Sequence, residues 1–468
     1  MLHSMGKLTF YGATGTTTGS RHLLELGDEK FLIDCGLFQG SKKNRVKNWE
    51  EFPVDPPEID RVLLTHAHID HSGFLPRLCN QGFKGKIFCT HSTLDLCDIM
   101  LKDSAHIQEE DAYWANKKGY SKHKPAEPLY TVEDAQNALG FFSPLHYGED
   151  FYAGDNLRFK FKDAGHILGS AFVDIKTGKN KQTRKILFSG DMGRPEKLLL
   201  RDPVQVFNVD YLVMESTYGD RLHEKTSRDE ELARIINESV ERGGVLVIPS
   251  FAVGRTQALL YLIRELEEDK RIPSLPVYVD SPMAIDTTDI FKQRVSDYDL
   301  TSRILTLRGV ELFRPKQLHL CETREQSKAI NKRKSHAIII SSSGMVTAGR
   351  ILHHMVQRLP EPENTVLFIG YQAEGTRGRS IVDGEPFVKI HGRQVRVGAK
   401  VESISGFSGH ADYEEILAWL LGFDRPPETT FIVHGEPEAS ASLADKIRER
   451  FGWEVVIPEF GDSFELEM

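Results

Sequence analysis

Six consecutive residues, His66-Ala67-His68-Ile69-Asp70-His71, hold three imidazoles and one carboxylate directly after the apolar run Val62-Leu63-Leu64. A strand ending at Thr65 sends His66 and His68 to one side, because strand side chains alternate with period two, and the turn that follows points Asp70 and His71 elsewhere. One short loop then supplies two ligands to one cation and two to its neighbour. Imidazole nitrogen and carboxylate oxygen at about 2.0 to 2.2 Å suit zinc, which keeps a position open for water when it is catalytic. Manganese and iron fit the same donors less exclusively. A surface loop merely rich in histidine would not bring further ligands from elsewhere in the chain.

Further ligands are present, each at the end of an apolar, strand-like run, where a parallel sheet presents its binding groups. His166 follows Asp163-Ala164-Gly165, Asp191 follows Ile186-Leu187-Phe188-Ser189-Gly190, and His434 follows Phe431-Ile432-Val433. Upstream, Phe31-Leu32-Ile33 ends in Asp34. A lone Asp after a strand is commonly a turn or cap residue, so the weight lies in the ordered set.

This set resembles the metallo-β-lactamase superfamily over nearly the whole chain. Residue by residue, the resemblance implies His66, His68 and His166 on one zinc, Asp70, His71 and His434 on the other, and Asp191 bridging both. Asp34 matches the family's first motif, a carboxylate beside the catalytic water and the ligand loop.

A simple member of that superfamily needs about 200 to 250 residues, within one domain, and this chain has 468. After Asp191 the chain reads as a second α/β unit, with strands expected at 245–249, 277–280, 337–343 and 365–370 and a helix over 257–266. Such alternation predicts a parallel, doubly wound sheet. Ligand chemistry then returns at Ser408-Gly409-His410-Ala411-Asp412 and His434, so the second unit is an insertion.

The insertion and its flanks resemble the β-CASP branch, whose members hydrolyse nucleic acids. Glu215 in Val213-Met214-Glu215-Ser216-Thr217 matches the acidic motif, His410 the second and His434 the third. A histidine at the third position implies RNA rather than DNA. The expected fold is α/β: an αββα sandwich from residues 1–211 and 396–468, interrupted by a β-CASP domain at 212–395. The resemblance implies a ribonuclease that cleaves single-stranded RNA, endonucleolytically, with two Zn2+ and a bridging hydroxide, leaving a 5′-phosphate and a 3′-hydroxyl. It also admits a homodimer and a phosphate pocket lined by Ser408, Gly409, His410 and Ala411.

The residues alone give the same direction less sharply. Paired divalent cations serve phosphodiester hydrolysis, but equally a lactam, thioester or lactone. Groups suited to phosphate occur at the expected strand ends of the insertion: Arg255 in Gly254-Arg255-Thr256, Ser341 and Ser343 in Ser341-Ser342-Ser343-Gly344, and Gly370-Tyr371-Gln372. A surface ion pair is the alternative for Arg255, and ordinary turn chemistry for the serines. His410 has the chemistry of a general acid toward the departing 3′ oxygen, held in its tautomer by Glu215; a buried pair without catalytic duty is the competing reading. Other functions that these residues leave open are a DNA nuclease of the same family, a 5′ exoribonuclease, a small-molecule ester or thioester hydrolase, and a binding-only subunit.

Five cysteines, odd in number and without zinc-type spacing, argue against a disulfide framework or a structural Cys site. With no run of about 18 apolar residues and no signal-peptide pattern, the expectation is a cytoplasmic protein without a membrane segment. The strand expected at 7–11 leaves no room for an added amino-terminal RNA-binding domain, and the last strand is expected at 455–458. A net charge of −9 is unfavourable for phosphate binding unless charge is focused locally. Lys117-Lys118, Lys179-Asn180-Lys181 with Arg184-Lys185, and Lys332-Arg333-Lys334 are the candidate basic segments. Gly12 to Gly19 lacks the Gly-Lys-Ser/Thr ending of a nucleotide loop and reads as a turn. The aromatics of the 101–116 helix, Tyr113 and Trp114, read as buried against a sheet.

Overall fold

The structure, a computed structural model, describes residues 5–119, 121–178, 183–223, 227–370, 372–373, 375–404 and 406–468. It divides into two compact units: one runs to Leu222 and resumes at Gly409–Met468, and the other is His223–Ser408. The strand Tyr211–Glu215 lies whole in a sheet of the first unit, and the strand Lys400–Ile404 whole in the sheet of the second. The change of unit therefore follows 211 and 395, where the sequence motifs alone suggested it.

The first unit is built on two seven-stranded sheets. In the first, Glu29–Ile33, Arg61–Leu63, Lys86–Thr90 and Phe142–Leu145 run parallel. In the second, Arg184–Phe188, Tyr211–Glu215, Thr429–Val433 and Val455–Val456 do the same. Phe10, Phe31, Leu63 and Phe88 of one sheet and Phe159, Phe161, Ile186, Phe188 and Phe431 of the other form one buried cluster, each large ring contributing about 1.5–3 kcal/mol of burial. On the outer side of the second sheet, the helices Tyr413–Leu420 and Pro437–Phe451 bury Trp419, Leu443 and Ile447 against Phe172, Leu187, Leu212 and Ile432. The helix His91–Lys118 buries Leu96, Cys97, Leu101 and Ala105. The carboxyl ends of the parallel strands give the chain on to Asp34, Thr65 with His66, Asp191 and His434.

The second unit has a six-stranded parallel sheet in the order Gln317–Leu320, Pro276–Val279, Ala337–Ser341, Val245–Pro249, Thr365–Ile369, Lys400–Ile404. From Val245–Pro249 the chain crosses to Pro276–Val279 and the edge strand Gln317–Leu320, and returns to Ala337–Ser341, which lies between Val245–Pro249 and Pro276–Val279. It then winds out on the other side through Thr365–Ile369 to Lys400–Ile404, a parallel sheet wound in both directions as expected. The runs VLVIP, AIIIS and TVLFI are buried throughout, as strands covered on both faces must be.

Three expectations are corrected. The last strand is Ser463–Glu467, pairing antiparallel with Met5–Phe10, not the segment near 455; short and acidic, it carries too few apolar residues to announce itself. Tyr113 and Trp114 are 57% and 41% exposed, because the helix spends Ala105, Ala112 and Ala115 on packing instead. Arg184 and Lys185 are not open to nucleic acid: Arg184 pairs with Glu428 and Asp210, and Lys185 is buried beside Asp174. Lys179-Asn180-Lys181 and Tyr371 lie outside the described residues. Among the described residues, no helix is long and apolar enough to cross a membrane.

Candidate active site

The ligand loop is fixed before any ligand is considered. Asp34, left-handed at φ 61°, accepts hydrogen bonds from the amide of Thr65 at 2.8 Å, its hydroxyl at 2.9 Å and His71 Nδ1 at 2.6 Å. A non-glycine residue in that conformation costs on the order of 1 kcal/mol and persists only where its surroundings hold it. The loop bearing His166 is closed by Ser170 Oγ, which accepts from the amides of His166 and Ile167. Thr90 and Thr93 both donate to the carbonyl of Gly169. Gly169 must be glycine: at φ +80°, a Cβ would lie 2.5 Å from the amide nitrogen of Thr93.

Outer partners set the tautomers. Nδ1 of His66 donates to Thr65 Oγ1 (3.0 Å), that of His71 to Asp34, that of His166 to the carbonyl of Gly409 (3.2 Å), and that of His434 to Thr217 Oγ1 (3.2 Å). Each imidazole then presents Nε2 as a lone pair, the arrangement by which second partners orient metal ligands. His66 Nε2 and His166 Nε2 converge on His68 Nδ1 at 3.2 and 3.3 Å. His71 Nε2 and His434 Nε2 meet at 3.1 Å, with Asp70 Oδ2 3.5 Å from the latter.

Asp191 joins the two groups. Its Oδ2 is 3.4 Å from Nε2 of both His66 and His166, while its Oδ1 is 3.2 Å from His71 Nε2 and 3.4 Å from His434 Nδ1. Oδ1 is buried and accepts no hydrogen bond. Facing lone pairs and an orphaned carboxylate oxygen would be costly as a plain hydrogen-bond network. Apart from that to His434 Nδ1, which is turned to Thr217, the spacings match the edge of about 3.3 Å between donors of a tetrahedral cation with bonds near 2.0–2.1 Å. The donor set therefore fits two cations.

The electrostatics divide along the same line. Burial pushes the imidazoles of His66 and His166 down, and that of His68 down to about 3, keeping them neutral as ligands must be. For His71, burial opposes the charge but Asp191 and Asp34 outweigh it and push the imidazole up, a negative field that a bound cation would answer in place of the proton. For Asp191, burial is likewise overcome, by His434, His71 and His66, and the carboxyl stays well below its usual range.

Glu215, fully buried, accepts from the amide of Met192 at 2.6 Å and stands 3.1 Å from His410 Nδ1 through each oxygen. Gly193 pairs with His410 as an antiparallel bridge, and Asp412 caps the next helix in a reciprocal box with Glu415. His410 is 18% exposed, and its Nδ1 is 3.8 Å from Asp191 Oδ2.

Several of the phosphate candidates already have partners within their own unit. Ser341 is buried and donates its hydroxyl to the carbonyl of Asp280. Ser343 Oγ is engaged with Thr347 and Ala348. Arg255 donates to the carbonyl of Ile369 and lies 5.2 Å over the ring of Phe251. Ala411 is buried and its amide is spent on Met192. Ser408 is buried, and Gly409 packs so closely that a Cβ would lie 2.9 Å from His166 Cε1. Thr65, Met192, Thr217 and the Gly409 carbonyl were not legible in the sequence, because backbone donors and lone hydroxyls carry no pattern of their own.

Comparison with known proteins agrees with this geometry. The chain matches the description of the metallo-beta-lactamase superfamily over residues 18–273, the Beta-Casp domain over 256–381 and a Zn-dependent metallo-hydrolase RNA specificity domain over 394–458. It is 38% identical over 456 residues to ribonuclease TTHA0252 of Thermus thermophilus, covering 97% of this chain and 98% of that protein. An RNase J-like protein of Methanocaldococcus jannaschii is 30% identical over 442 residues, 93% and 94% of the two chains. Transcription termination factor FttA of Pyrococcus horikoshii is 33% identical over 476 residues, 96% of this chain and 69% of that one. A crystal structure of a protein of unknown function from Enterococcus faecalis V583 shares the fold at a TM-score of 0.55 and 14% identity, covering 99% and 100% of the chains.

Proposed function

The chain belongs to the β-CASP branch of the metallo-β-lactamase superfamily, and on that premise we propose that it is a zinc-dependent ribonuclease cutting single-stranded RNA internally to leave a 5′-phosphate and a 3′-hydroxyl. Metal-dependent hydrolysis of RNA is the activity that the ribonuclease relatives and the His/Asp cluster support together. The single observation that carries the reading is Asp191, whose two oxygens each face a different set of imidazoles.

His66, His68 and His166 would hold one cation and Asp70, His71 and His434 the other, with Asp191 placed so that one oxygen faces each set. Zinc fits their nitrogen-rich donor set best, with manganese as the substitute. When bound, such a pair activates water at neutral pH and offsets charge on the phosphodiester. Asp34 orients His71 and, through Thr65, His66. Glu215 fixes His410 through Nδ1, so that Nε2 is the atom from which a proton passes to the departing 3′ oxygen. Ser408 and the Gly409-His410 backbone border that position in sequence and serve the adjoining phosphate.

The test is cleavage of matched, end-labelled single-stranded RNA and DNA by the zinc-loaded protein beside an Asp191→Ala variant. RNA cut at internal positions, lost in the variant, is expected. DNA cut equally well would make the enzyme a general nuclease, and products of terminal nucleotides alone would make it an exonuclease.

A further inference from the structure

We propose that the segment Ser41–Trp49, with the ring of Phe460, is a docking strip for the single-stranded RNA flanking the cleaved bond. This rests on the ribonuclease reading above. In a chain of net charge −9, these nine residues carry four cations, Lys42, Lys43, Arg45 and Lys47, and no carboxylate.

The segment is not explained by packing. Its helix Lys42–Val46, capped by Ser41 Oγ, buries no residue. Val46, Trp49 and Phe460 are 48%, 57% and 49% exposed, so large apolar side chains are left in water beside the cations. Other cations of the same unit are paired, as Arg184 with Glu428 and Arg194 with Glu415. Among the described residues, Lys42, Lys43 and Lys47 have no carboxylate at ion-pair distance. Arg45 alone senses an acid, the exposed Asp111, and Glu50 and Glu51 end the strip on one side.

The strip is nonetheless firmly held and joined to the metal ligands. Asn48 exchanges hydrogen bonds with both backbone groups of Phe38, and the Lys47 ammonium lies 5.0 Å from the ring of Phe38 and 5.2 Å from that of Phe460. Asn44 reaches Thr16 at 3.4 Å in the loop whose Ala13 carbonyl accepts the amide of His434. The amide of Leu37, next to Phe38, donates to Ile69 in the ligand loop. Cations interleaved with exposed rings on a rigid support are the elements of single-strand binding: phosphates meet the ammonium groups, and bases of any sequence stack on the rings.

The test uses the full zinc-loaded chain, a 20-nucleotide single-stranded RNA and the triple variant Lys42→Gln, Lys43→Gln, Arg45→Gln, with Trp49→Ala alongside. The triple variant should bind RNA at least about 10-fold more weakly, with the slope of log K against log salt reduced by about 2, at about 0.7 per phosphate on a single strand. Trp49→Ala should cost about 10-fold. Hydrolysis of bis(p-nitrophenyl) phosphate, too small to reach the strip, should be unchanged in both. A wild-type enzyme that cleaves RNA while the variants keep its affinity and salt slope overturns the strip and leaves the ribonuclease reading standing. If the wild type neither binds nor cleaves RNA, both fall. If the variants change sedimentation from dimer to monomer at constant RNA affinity, the strip is a contact between copies of this chain, and the proposal is wrong.

Discussion

His410 Nδ1 stands 3.1 Å from both oxygens of Glu215, and the amide of Met192 holds the same carboxylate at 2.6 Å. The pair is rigid and anchored on the backbone that also carries Asp191. If its purpose is proton delivery, His410→Ala should lower kcat on RNA by about 10²–10³ with zinc content unchanged. Because p-nitrophenolate leaves without a proton, bis(p-nitrophenyl) phosphate should lose less than about 10-fold. Equal losses on both substrates would remove the acid role.

Asp34 touches His71 and Thr65 but sits outside both ligand sets. Asp34→Ala should weaken zinc binding by about 10–100-fold, with RNA cleavage restored by excess zinc. Activity that stays low at saturating zinc would contradict a purely orienting role.

Gly409→Ala would place a methyl 2.9 Å from His166 Cε1 and 3.2 Å from Nδ1. The imidazole must shift away from the Gly409 carbonyl, so zinc should be lost from the His66, His68 and His166 set before the other. Partial zinc occupancy followed by absorption of a cobalt-substituted protein reads this directly. Unchanged occupancy would show that the ring adapts.

Burial between Phe10 and Phe188 pushes His22 down to about 3, against about 6.5 in an unfolded chain. Between those values the unfolded state binds a proton that the folded state refuses. The stability is therefore fully present above pH 6.5 and withdrawn as pH falls, by up to ~1.4 kcal/mol per pH unit. In zinc-free protein, His22→Phe should flatten the fall in Tm between pH 6.5 and 4.5. An unchanged slope would mean that His22 does not refuse the proton.

The His and Asp cluster was legible because chemistry confined such residues to the ends of apolar runs, and the parallel strands of the insertion because VLVIP and AIIIS leave no polar face. What failed was carried by side chains without a pattern. Ser463–Glu467 is a strand because Met5–Phe10 offers an edge, not because its own residues demand one. Trp114 read as core because its helix was expected to pack with aromatics, yet alanines do that work. Ser341 looked like a phosphate donor, but the carbonyl of Asp280 takes its hydroxyl, a contact 61 residues away in sequence.

In the proposed mechanism Asp191 serves two cations at once. Metal analysis of the wild type and Asp191→Asn, each paired with RNA cleavage, is the direct measurement. Two zinc ions per chain are expected in the wild type, fewer in the variant, with cleavage reduced by at least about 10³. Two tightly held ions and undiminished cleavage in Asp191→Asn would contradict that mechanism.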